Sequence, residues 1–274
     1  MLIDWRRIAK EIYEDLKIKV SNSGKKITLG AILVGDNKSS LNYIKQKKKW
    51  VYYIGINFVL KRLDYSISTK LLLEEINDFN NSEDIDWFIV QLPLPNHIDE
   101  NSIIESISPL KDVDGFHPIN VWKLMIWDDS WFHSCTPSWI MEIFRSEKIE
   151  FIWKNVVVIW KSNIVWKPIS NLLINAWATV TVCNSKTKDL SFFTKNADII
   201  IVAAWVPWLL NSNMINSTSI IIDVWFTVID WKIYWDADTK NIDSLWAKIT
   251  PVPGWVWALT VASLMSNTIK ASEV

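Results

Sequence analysis

Short apolar segments alternate with helical segments along this chain, and this alternation constrains its fold more than any other feature. The first apolar segment, residues 28–34, ends at Gly35, and a polar turn then leads into a helical segment that ends at Gly55. Apolar runs of this length between helices are typical of buried strands in a parallel sheet. The first part of the chain therefore predicts α/β structure, with strands at 28–34, 56–60 and 86–92 and helices at 8–20, 40–54 and 68–79.

A second series of the same kind follows a connecting region at residues 118–140. The final apolar helix, about 259–269, comes after a proline-rich turn and is expected to pack back on the first series. The chain thus predicts two α/β domains, 1–117 and 118–253, with 254–274 returning to the first. The second series predicts strands at 155–159, 178–183, 198–203 and 219–224 and a helix at 168–175.

Turns in such a fold need glycine, yet the 274 residues include only six glycines and nineteen tryptophans. Trp231 and Trp235 stand in turn-like sequences, and Trp205 and Trp208 flank a Val-Pro pair. A bulky aromatic residue with a positive φ is strained, whereas glycine is not. We therefore hypothesise that the organism of origin reads UGA codons as glycine, and that the written sequence shows tryptophan because those codons were translated with a code that assigns UGA to tryptophan. The alternative is a chain that is truly rich in tryptophan.

Charge and composition exclude several classes of function. The net charge of −1 provides no attraction to nucleic acid or to an anionic membrane. No apolar run is long enough to span a bilayer, and the first residues do not resemble a signal peptide. Cys135 and Cys183 are far apart in the sequence, and the three histidines are isolated. We therefore expect a cytoplasmic protein with reduced thiols and no metal.

A candidate catalytic group lies in the first series. Tyr43 and Lys47 are four residues apart on a predicted helix, so one face carries an aromatic ring and an amine. Gln91 ends a buried strand, where an α/β sheet faces its ligand crevice. Asp112 and Asp114 follow in an Asp-x-Asp turn. Simpler interpretations stay open: Lys47 belongs to a run of lysines that suits a solvated face, and the Asp-x-Asp turn suits a surface cap.

The second series contains a candidate phosphate loop at residues 160–168. If Trp160 and Trp166 are glycine, this segment is a tight turn whose N–H groups and helix start suit a pyrophosphate. An ordinary strand-to-helix turn is the alternative. Residues 184–187, after the next strand, carry hydroxyl and cationic groups but no acid. NAD sites place an acid there for the ribose 2′-hydroxyl, so NADP is favoured over NAD.

Together these segments resemble the FolD family, the bifunctional methylenetetrahydrofolate dehydrogenases and methenyltetrahydrofolate cyclohydrolases. The resemblance covers essentially the whole chain, and several long motifs in one order are more specific than any single motif. It also accounts for the tryptophans, because the family pattern has glycine at positions such as Trp87, Trp160, Trp166 and Trp225. The motifs that carry it are residues 43–47, 90–95, 111–116, 135–137, 160–168 and 249–257.

The resemblance implies a folate-binding catalytic domain, a Rossmann-like NADP-binding domain, a cleft between them, and a homodimer. The implied activity is NADP-dependent oxidation of 5,10-methylenetetrahydrofolate and hydrolysis of the product to 10-formyltetrahydrofolate. Lys47 is implied as the catalytic amine, Gln91 as its hydrogen-bonding neighbour, and Asp114 as the group that holds the pterin ring. Tyr43 is implied to stack on the folate. Further implied residues are Ser40, Val90, Leu92, Pro253, Gly254, Trp255, Val256 and Trp257 for folate, and Trp160, Lys161, Ser162, Ser185 and Phe226 for NADP.

Departures from the family pattern concentrate in the cofactor half. Lys161 stands where arginine is typical, Asn184 where histidine is common, and Phe226 where isoleucine is usual, while Ala-Leu at 258–259 replaces Pro-Met. None of these touches Lys47, so they bear on cofactor preference more than on the chemistry. A chain with only one of the two activities is an alternative. A non-catalytic relative, whose cofactor site real tryptophans fill, is another.

Overall fold

A computed structural model describes residues 5–128, 130–159, 166–243, 248–249 and 256–273, which divide into two compact units. One unit comprises Ala9–Cys135 together with the stretch that begins at Thr260, and we call it the three-stranded unit. The other comprises Thr136–Leu259 together with the residues up to Ile8, and we call it the five-stranded unit.

The three-stranded unit is built on a parallel sheet in the order β2-β1-β3. Strand β1 (Thr28–Val34) is central and buried along its whole length, which explains its uninterrupted apolar sequence. It pairs with β2 (Asn57–Leu63) on one side and with β3 (Trp87–Val90) on the other. The helices that precede, connect and follow these strands are α1 (Trp5–Ser23), α2 (Lys38–Ile54), α3 (Thr69–Asn81), α4 (Glu100–Ser106) and α5 (Pro118–Met125).

Local hydrogen bonds define both ends of helix α2. The side-chain oxygen of Asn37 accepts the N–H groups of Ser39 and Ser40 at 2.9 and 3.1 Å, as a helix N-cap does. At the other end Gly55 adopts a left-handed φ of 90°, and its N–H donates to the Tyr52 carbonyl. The helix therefore ends where the sequence predicts, and Lys47 lies in its third turn.

The five-stranded unit contains a second parallel sheet, in the order β10-β7-β6-β4-β5. Strand β4 (Asn155–Ile159) lies between β5 (Thr179–Cys183) and β6 (Ile199–Val202). The strand order thus reverses beside β4, and doubly wound sheets bind ligands at such a reversal. The other elements are α6 (Cys135–Ser146), α7 (Trp166–Asn175), α8 (Leu190–Thr194), β7 (Ile220–Asp223), α9 (Thr239–Asp243) and β10 (Lys248–Ile249).

An antiparallel hairpin that the sequence analysis did not predict follows β7. It consists of β8 (Phe226–Ile229) and β9 (Lys232–Trp235). Its two turn residues, Asp230 and Trp231, have φ values of 46° and 64°, as both central residues of a type I′ turn do. The turn expected at Trp231 is therefore present, and Asp-Gly, the pair that glycine at residue 231 would give, is among the strongest sequence signals for it. Trp235, predicted at a turn, lies instead in β9 and is buried.

Residues 256–273 form the last helix, α10 (Val256–Glu273), which is longer than the segment predicted at 259–269. Within the three-stranded unit, the Asn267 amide of this helix donates to the carbonyls of Val113 and His133 at 2.8 and 2.9 Å. The hydrogen bond to Val113 connects helix α10 with the turn that carries Asp114. Helices α4, α5 and α6 were not predicted: α4 and α5 span only seven and eight residues, and α5 and the start of α6 lie in the region 118–140 that was interpreted as a connection.

Left-handed backbone is distributed unevenly between the two units. Among the described residues of the three-stranded unit it occurs mostly at glycine, with φ from 62° to 90°, whereas in the five-stranded unit it occurs mostly at tryptophan, with φ from 58° to 67°. The glycines are Gly24, Gly35, Gly55 and Gly115, and the tryptophans of the five-stranded unit are Trp153, Trp177, Trp205, Trp208 and Trp231.

Candidate active site

Lys47 and Gln91 meet in the three-stranded unit. Lys47 projects from α2 and is only 7% exposed, which excludes the solvated basic face as its environment. Its Nζ donates to Gln91 Oε1 at 3.1 Å. Gln91 follows β3 directly, and its backbone N–H continues the sheet by donating to Ile32 at 2.9 Å. Because its Nε2 donates to the Leu92 carbonyl at 2.7 Å, the amide oxygen is turned toward the amine.

Asp112 holds together the turn that presents Asp114. Its buried carboxylate accepts the N–H of Gly115 at 3.2 Å, the N–H of His117 at 2.7 Å and the Nδ2 group of Asn120 at 2.8 Å. Burial raises the pKa of Asp112 to about 6, although these hydrogen bonds oppose the shift. The Asp-x-Asp turn is therefore capped as one interpretation suggested, but its cap is buried rather than at the surface.

Gly115 is required in this turn by both conformation and space. Its φ is 70°, a region that side chains other than glycine rarely adopt. An added Cβ would lie 2.6 Å from the His133 carbonyl carbon and 2.7 Å from the Ser134 nitrogen, both of them backbone atoms. The turn can therefore approach the 133–134 segment only because residue 115 has no side chain.

Asp114 lies among groups that act on its charge in opposite directions. Burial raises its pKa, while the positive charge of Lys47 and a hydrogen bond from the Cys135 thiol lower it. The Cys135 Sγ lies 3.9 Å from Asp114 Oδ1 and 3.6 Å from the Val113 carbonyl oxygen. Burial also raises the pKa of Cys135 far above its usual value, so the thiol is a neutral donor. From the sequence, Cys135 was expected to be a reduced thiol within the family motif at 135–137, but no spacing rule connects it with Asp114.

The remaining predicted folate residues of the three-stranded unit lie on helix α2 and at the end of strand β3. Tyr43 lies one turn before Lys47, and burial raises the pKa of its hydroxyl. Ser40 is 2% exposed, and its hydroxyl has no hydrogen-bond partner among the described residues. Val90 is buried at the end of β3, and Leu92 is partly buried. An isolated buried hydroxyl is costly, so Ser40 Oγ is a polar group that a ligand can satisfy.

Most residues predicted for the folate turn and the phosphate loop lie outside the described residues. Of the folate turn, the backbone of Val256 and Trp257 begins helix α10. The positions that lie outside the described residues are Pro253, Gly254 and Trp255 of the folate turn and Trp160, Lys161 and Ser162 of the phosphate loop.

Two predicted cofactor residues are placed in the five-stranded unit. Ser185 is exposed in the turn after β5, where Asn184 Oδ1 accepts the Lys186 N–H at 2.9 Å. Phe226 begins β8, 36% exposed, with its ring centroid 5.7 Å from that of Trp235. Both therefore follow parallel strands of the same sheet, β5 and β7.

The described ranges contain neither a cluster of metal-binding side chains nor a helix suited to cross a membrane. No group of three or more histidine, cysteine, aspartate or glutamate side chains there could hold a metal ion. None of the helices in the part of the chain that the structure describes is both long and apolar enough to cross a membrane.

Comparison with known proteins finds relatives that match both units. The catalytic-domain profile of the tetrahydrofolate dehydrogenase/cyclohydrolase family matches residues 3–114, and its NAD(P)-binding-domain profile matches residues 134–274. A bifunctional FolD protein of Campylobacter hominis is 43% identical over 276 residues, covering 99% of this chain and 97% of its own.

Solved structures give the same result. The bifunctional FolD enzyme of Campylobacter jejuni is similar with a TM-score of 0.96 and 41% identity, covering 100% of this chain and 98% of its own. A Trypanosoma brucei FolD, solved with NADP and an inhibitor, has a TM-score of 0.92 and 32% identity, covering 100% and 97%. The fold is that of a two-domain α/β protein with a catalytic and an NAD(P)-binding domain. The chain belongs to the tetrahydrofolate dehydrogenase/cyclohydrolase family.

Proposed function

We propose that this protein oxidises 5,10-methylenetetrahydrofolate with NADP and hydrolyses the resulting 5,10-methenyltetrahydrofolate to 10-formyltetrahydrofolate. The observation that carries the proposal is the buried Lys47–Gln91 pair beside Asp114, within a chain whose two halves both match the family. The relatives at 41–43% identity are named bifunctional FolD proteins, and the match covers nearly their full length.

The first half-reaction depends mainly on positioning. NADP, when bound, supplies the acceptor for the hydride that leaves the methylene carbon. Asp114 is suited to hold the pterin ring by accepting its N–H groups, and the Tyr43 ring is suited to stack on the folate. Held in this way, the substrate needs little acid–base assistance, because its own nitrogens stabilise the positive charge that remains.

The second half-reaction needs proton transfer. Water adds to the methenyl carbon and loses a proton. The bond from that carbon to N5 then breaks: the added hydroxyl gives up its proton to become the formyl carbonyl, and the leaving nitrogen takes up a proton. Lys47 is the residue suited to hold and move a proton at Nζ, and Gln91 Oε1 orients the amine at 3.1 Å. Ser40, Val90, Leu92 and the turn 253–257 complete the proposed folate site.

Substitution of Lys47 tests this assignment. We expect Lys47→Met to lower the cyclohydrolase rate at least about a hundredfold, the contribution typical of a positioned acid–base group. Lys48→Met is the matched control, because Lys48 is exposed on the same helix and its Nζ lies over the Tyr52 ring. Hydrolysis of methenyltetrahydrofolate by Lys47→Met at near the rate of the control would exclude Lys47 as the catalytic amine.

The five-stranded unit is suited to NADP. Its strand order reverses beside β4, and the 184–187 turn after β5 offers hydroxyl and cationic groups but no acid. The proposed contacts are Trp160, Lys161, Ser162, Ser185 and Phe226, with glycine in place of Trp160. We also propose a homodimer, a cytoplasmic location, no metal, and domain limits at 1–117, 118–253 and 254–274.

We further infer that the nineteen tryptophans are glycine in the native protein. Six described tryptophans have φ between 58° and 67°, the region in which glycine is unstrained and a bulky residue is an outlier. These six side chains are 50% exposed or more, so burial of the indole offsets little of the strain. They are Trp127, Trp153, Trp177, Trp205, Trp208 and Trp231.

Buried tryptophans support the same inference by a different route. Buried indole N–H groups normally find a hydrogen-bond partner. The indole nitrogens of Trp50, Trp139, Trp166 and Trp235 are buried without one among the described residues. Each isolated donor costs about 1–3 kcal/mol, and glycine at these positions has no such group.

The intact mass of the protein purified from its own source tests the inference. We expect a mass below 31.9 kDa by nineteen tryptophan-to-glycine differences, and we expect every one of the nineteen codons to be UGA. A mass of 31.9 kDa, or UGG codons at these positions, would establish real tryptophans. The dehydrogenase proposal would then be withdrawn, because indoles at 160 and 166 would be expected to fill the space of the pyrophosphate.

A further inference from the structure

A single buried carboxylate in the five-stranded unit accepts hydrogen bonds from three consecutive backbone N–H groups. Asp236 is fully buried, and its Oδ2 accepts the N–H groups of Ala204 and of Trp205, the latter at 3.0 Å. Its Oδ1 accepts the N–H of Val206 at 2.8 Å. The three donors form the loop that directly follows β6. Since all three bonds go to backbone atoms, they do not depend on whether residue 205 is tryptophan or glycine.

The neighbouring backbone extends this attachment. The N–H of Trp208 donates to the Trp235 carbonyl at 2.9 Å, and the N–H of Leu210 donates to the Asp236 carbonyl at 3.0 Å. Residues 204–210, which we call the β6 loop, are therefore fixed against the segment 235–237 along their whole length. The side chain of Asp236 accepts the hydrogen bonds of the first part of the β6 loop, residues 204–206, which lies nearest the end of β6.

A second buried carboxylate supports the first. Asp223, the last residue of β7, is also fully buried, and its Oδ2 accepts the N–H of Ala237 at 2.8 Å. Burial raises the pKa of both acids, and the two like charges reinforce the shift at Asp223. Two carboxyl groups in one apolar region are costly. They are therefore a poor means of stabilising the fold, whereas their hydrogen bonds impose a definite shape on the backbone.

That shape matters because of where the β6 loop lies. Strand β6 is the neighbour of β4 at the reversal of strand order, and the loop leaves its carboxyl end. Ligands of doubly wound sheets bind outside the carboxyl ends of the strands at that point. We propose that Asp236, supported by Asp223, is a positioning residue that fixes the β6 loop in the shape that NADP binding requires. This inference rests on the proposed NADP-dependent function.

The test is NADP binding to the Asp236→Asn variant of the full chain, measured by titration calorimetry. Asparagine keeps the size of the side chain but offers one acceptor oxygen, so at least one of the three loop N–H groups faces an amide N–H₂ donor. We expect the Kd for NADP to rise about tenfold or more. Asp238→Asn is the matched control: its carboxylate accepts from Asn241 at 2.6 Å, and we expect an unchanged Kd.

The cyclohydrolase reaction separates this inference from the proposed function, because it needs no NADP. A higher Kd for NADP with a normal cyclohydrolase rate supports the inference. An unchanged Kd for NADP overturns the inference, because Asp236 would then be dispensable for binding. An equal loss of NADP binding and of cyclohydrolase activity also overturns it, because the role of Asp236 would then be merely structural. If the parent protein binds no NADP, the proposed function fails as well.

Hydrogen exchange gives a second measurement that needs no variant. In the unliganded wild-type protein, the amide protons of Ala204, residue 205 and Val206 should be protected as strongly as those of β6. Exchange of these amides at the rate of open loops would overturn the inference, whether or not Asp236→Asn folds.

Discussion

The two units of this protein are both parallel α/β sheets, yet they present functional groups in different ways. In the three-stranded unit the candidate site consists of side chains, Lys47, Gln91 and Asp114, placed by a helix, a strand end and a glycine turn. In the five-stranded unit, the candidate site at the carboxyl ends of the strands is formed by backbone N–H groups. There the Asp236 carboxylate fixes the shape of the β6 loop.

This difference explains why the tryptophans affect the two units unequally. A site made of side chains tolerates an occasional bulky residue outside it, whereas a backbone site needs turns without side chains. Residues 136–253 contain no glycine and eleven of the nineteen tryptophans. In the three-stranded unit, the described left-handed positions are glycine except at Trp127. Glycine in the native protein would remove the contrast and make the two units alike.

The largest stability effect should come from the left-handed tryptophans of the five-stranded unit. Two versions of the chain that differ only at residues 153, 177, 205, 208 and 231 should unfold with different free energies. A left-handed residue other than glycine costs about 1–2 kcal/mol, so we expect the glycine version to be more stable by about 5 kcal/mol or more. Denaturant unfolding, followed by circular dichroism, measures this difference.

The reverse substitution in the three-stranded unit is the control. Gly24 has a φ of 62° and nothing within 4 Å of an added Cβ, so Gly24→Trp introduces only the conformational strain. We expect it to cost about 1–2 kcal/mol. Equal stability of the two versions at the five positions, together with a costly Gly24→Trp, would contradict the backbone argument for recoding.

The next effect compares two glycines of the three-stranded unit. Gly115→Ala combines a φ of 70° with a Cβ 2.6 Å from the His133 backbone, whereas Gly24→Ala has the strain without the clash. We expect losses of about 3 kcal/mol and about 1 kcal/mol respectively, since overpacking adds about 1–3 kcal/mol. The cyclohydrolase rate should fall only in Gly115→Ala, because that turn presents Asp114. Equal losses of stability in both variants would show that the turn can move away from residues 133–134.

The smallest effect is a pH dependence from Asp112. Its pKa is raised from 3.8 to about 6 in the folded protein, so the native state binds a proton more readily than the unfolded chain. The contribution of this group to stability is therefore complete below the unfolded value and is lost as pH rises through about 6. Between pH 7.5 and pH 4.5 the wild type should gain about 2 kcal/mol relative to Asp112→Asn. A difference between the two proteins that does not vary with pH would exclude a raised pKa at Asp112.

Much of the fold was predictable from the sequence because buried parallel strands have a distinctive apolar pattern. Strands β1 and β4 were predicted with their observed limits, and α2 with its observed end. The turn expected at Trp231 is present, but the β8–β9 strands on either side of it were not predicted because they are mostly exposed and lack a buried apolar run. Helices α4 and α5 were not predicted because they span only seven and eight residues, and the start of α6 lies in the region 118–140 that was interpreted as a connection. The turn predicted at Trp235 was wrong because that residue pairs within β9.

The sequence by itself determined the α/β class, the presence of two strand–helix series and the set Tyr43, Lys47, Gln91 and Asp114, since periodicity and motif order are local properties. Tertiary structure alone decided that Lys47 is buried rather than on a solvated face, and that Cys135 donates to Asp114. It also decided that Asp236 gathers the β6 loop across 30 residues of sequence. Burial and hydrogen bonding between distant segments depend on packing, and no local pattern encodes which buried carboxylate meets which backbone N–H.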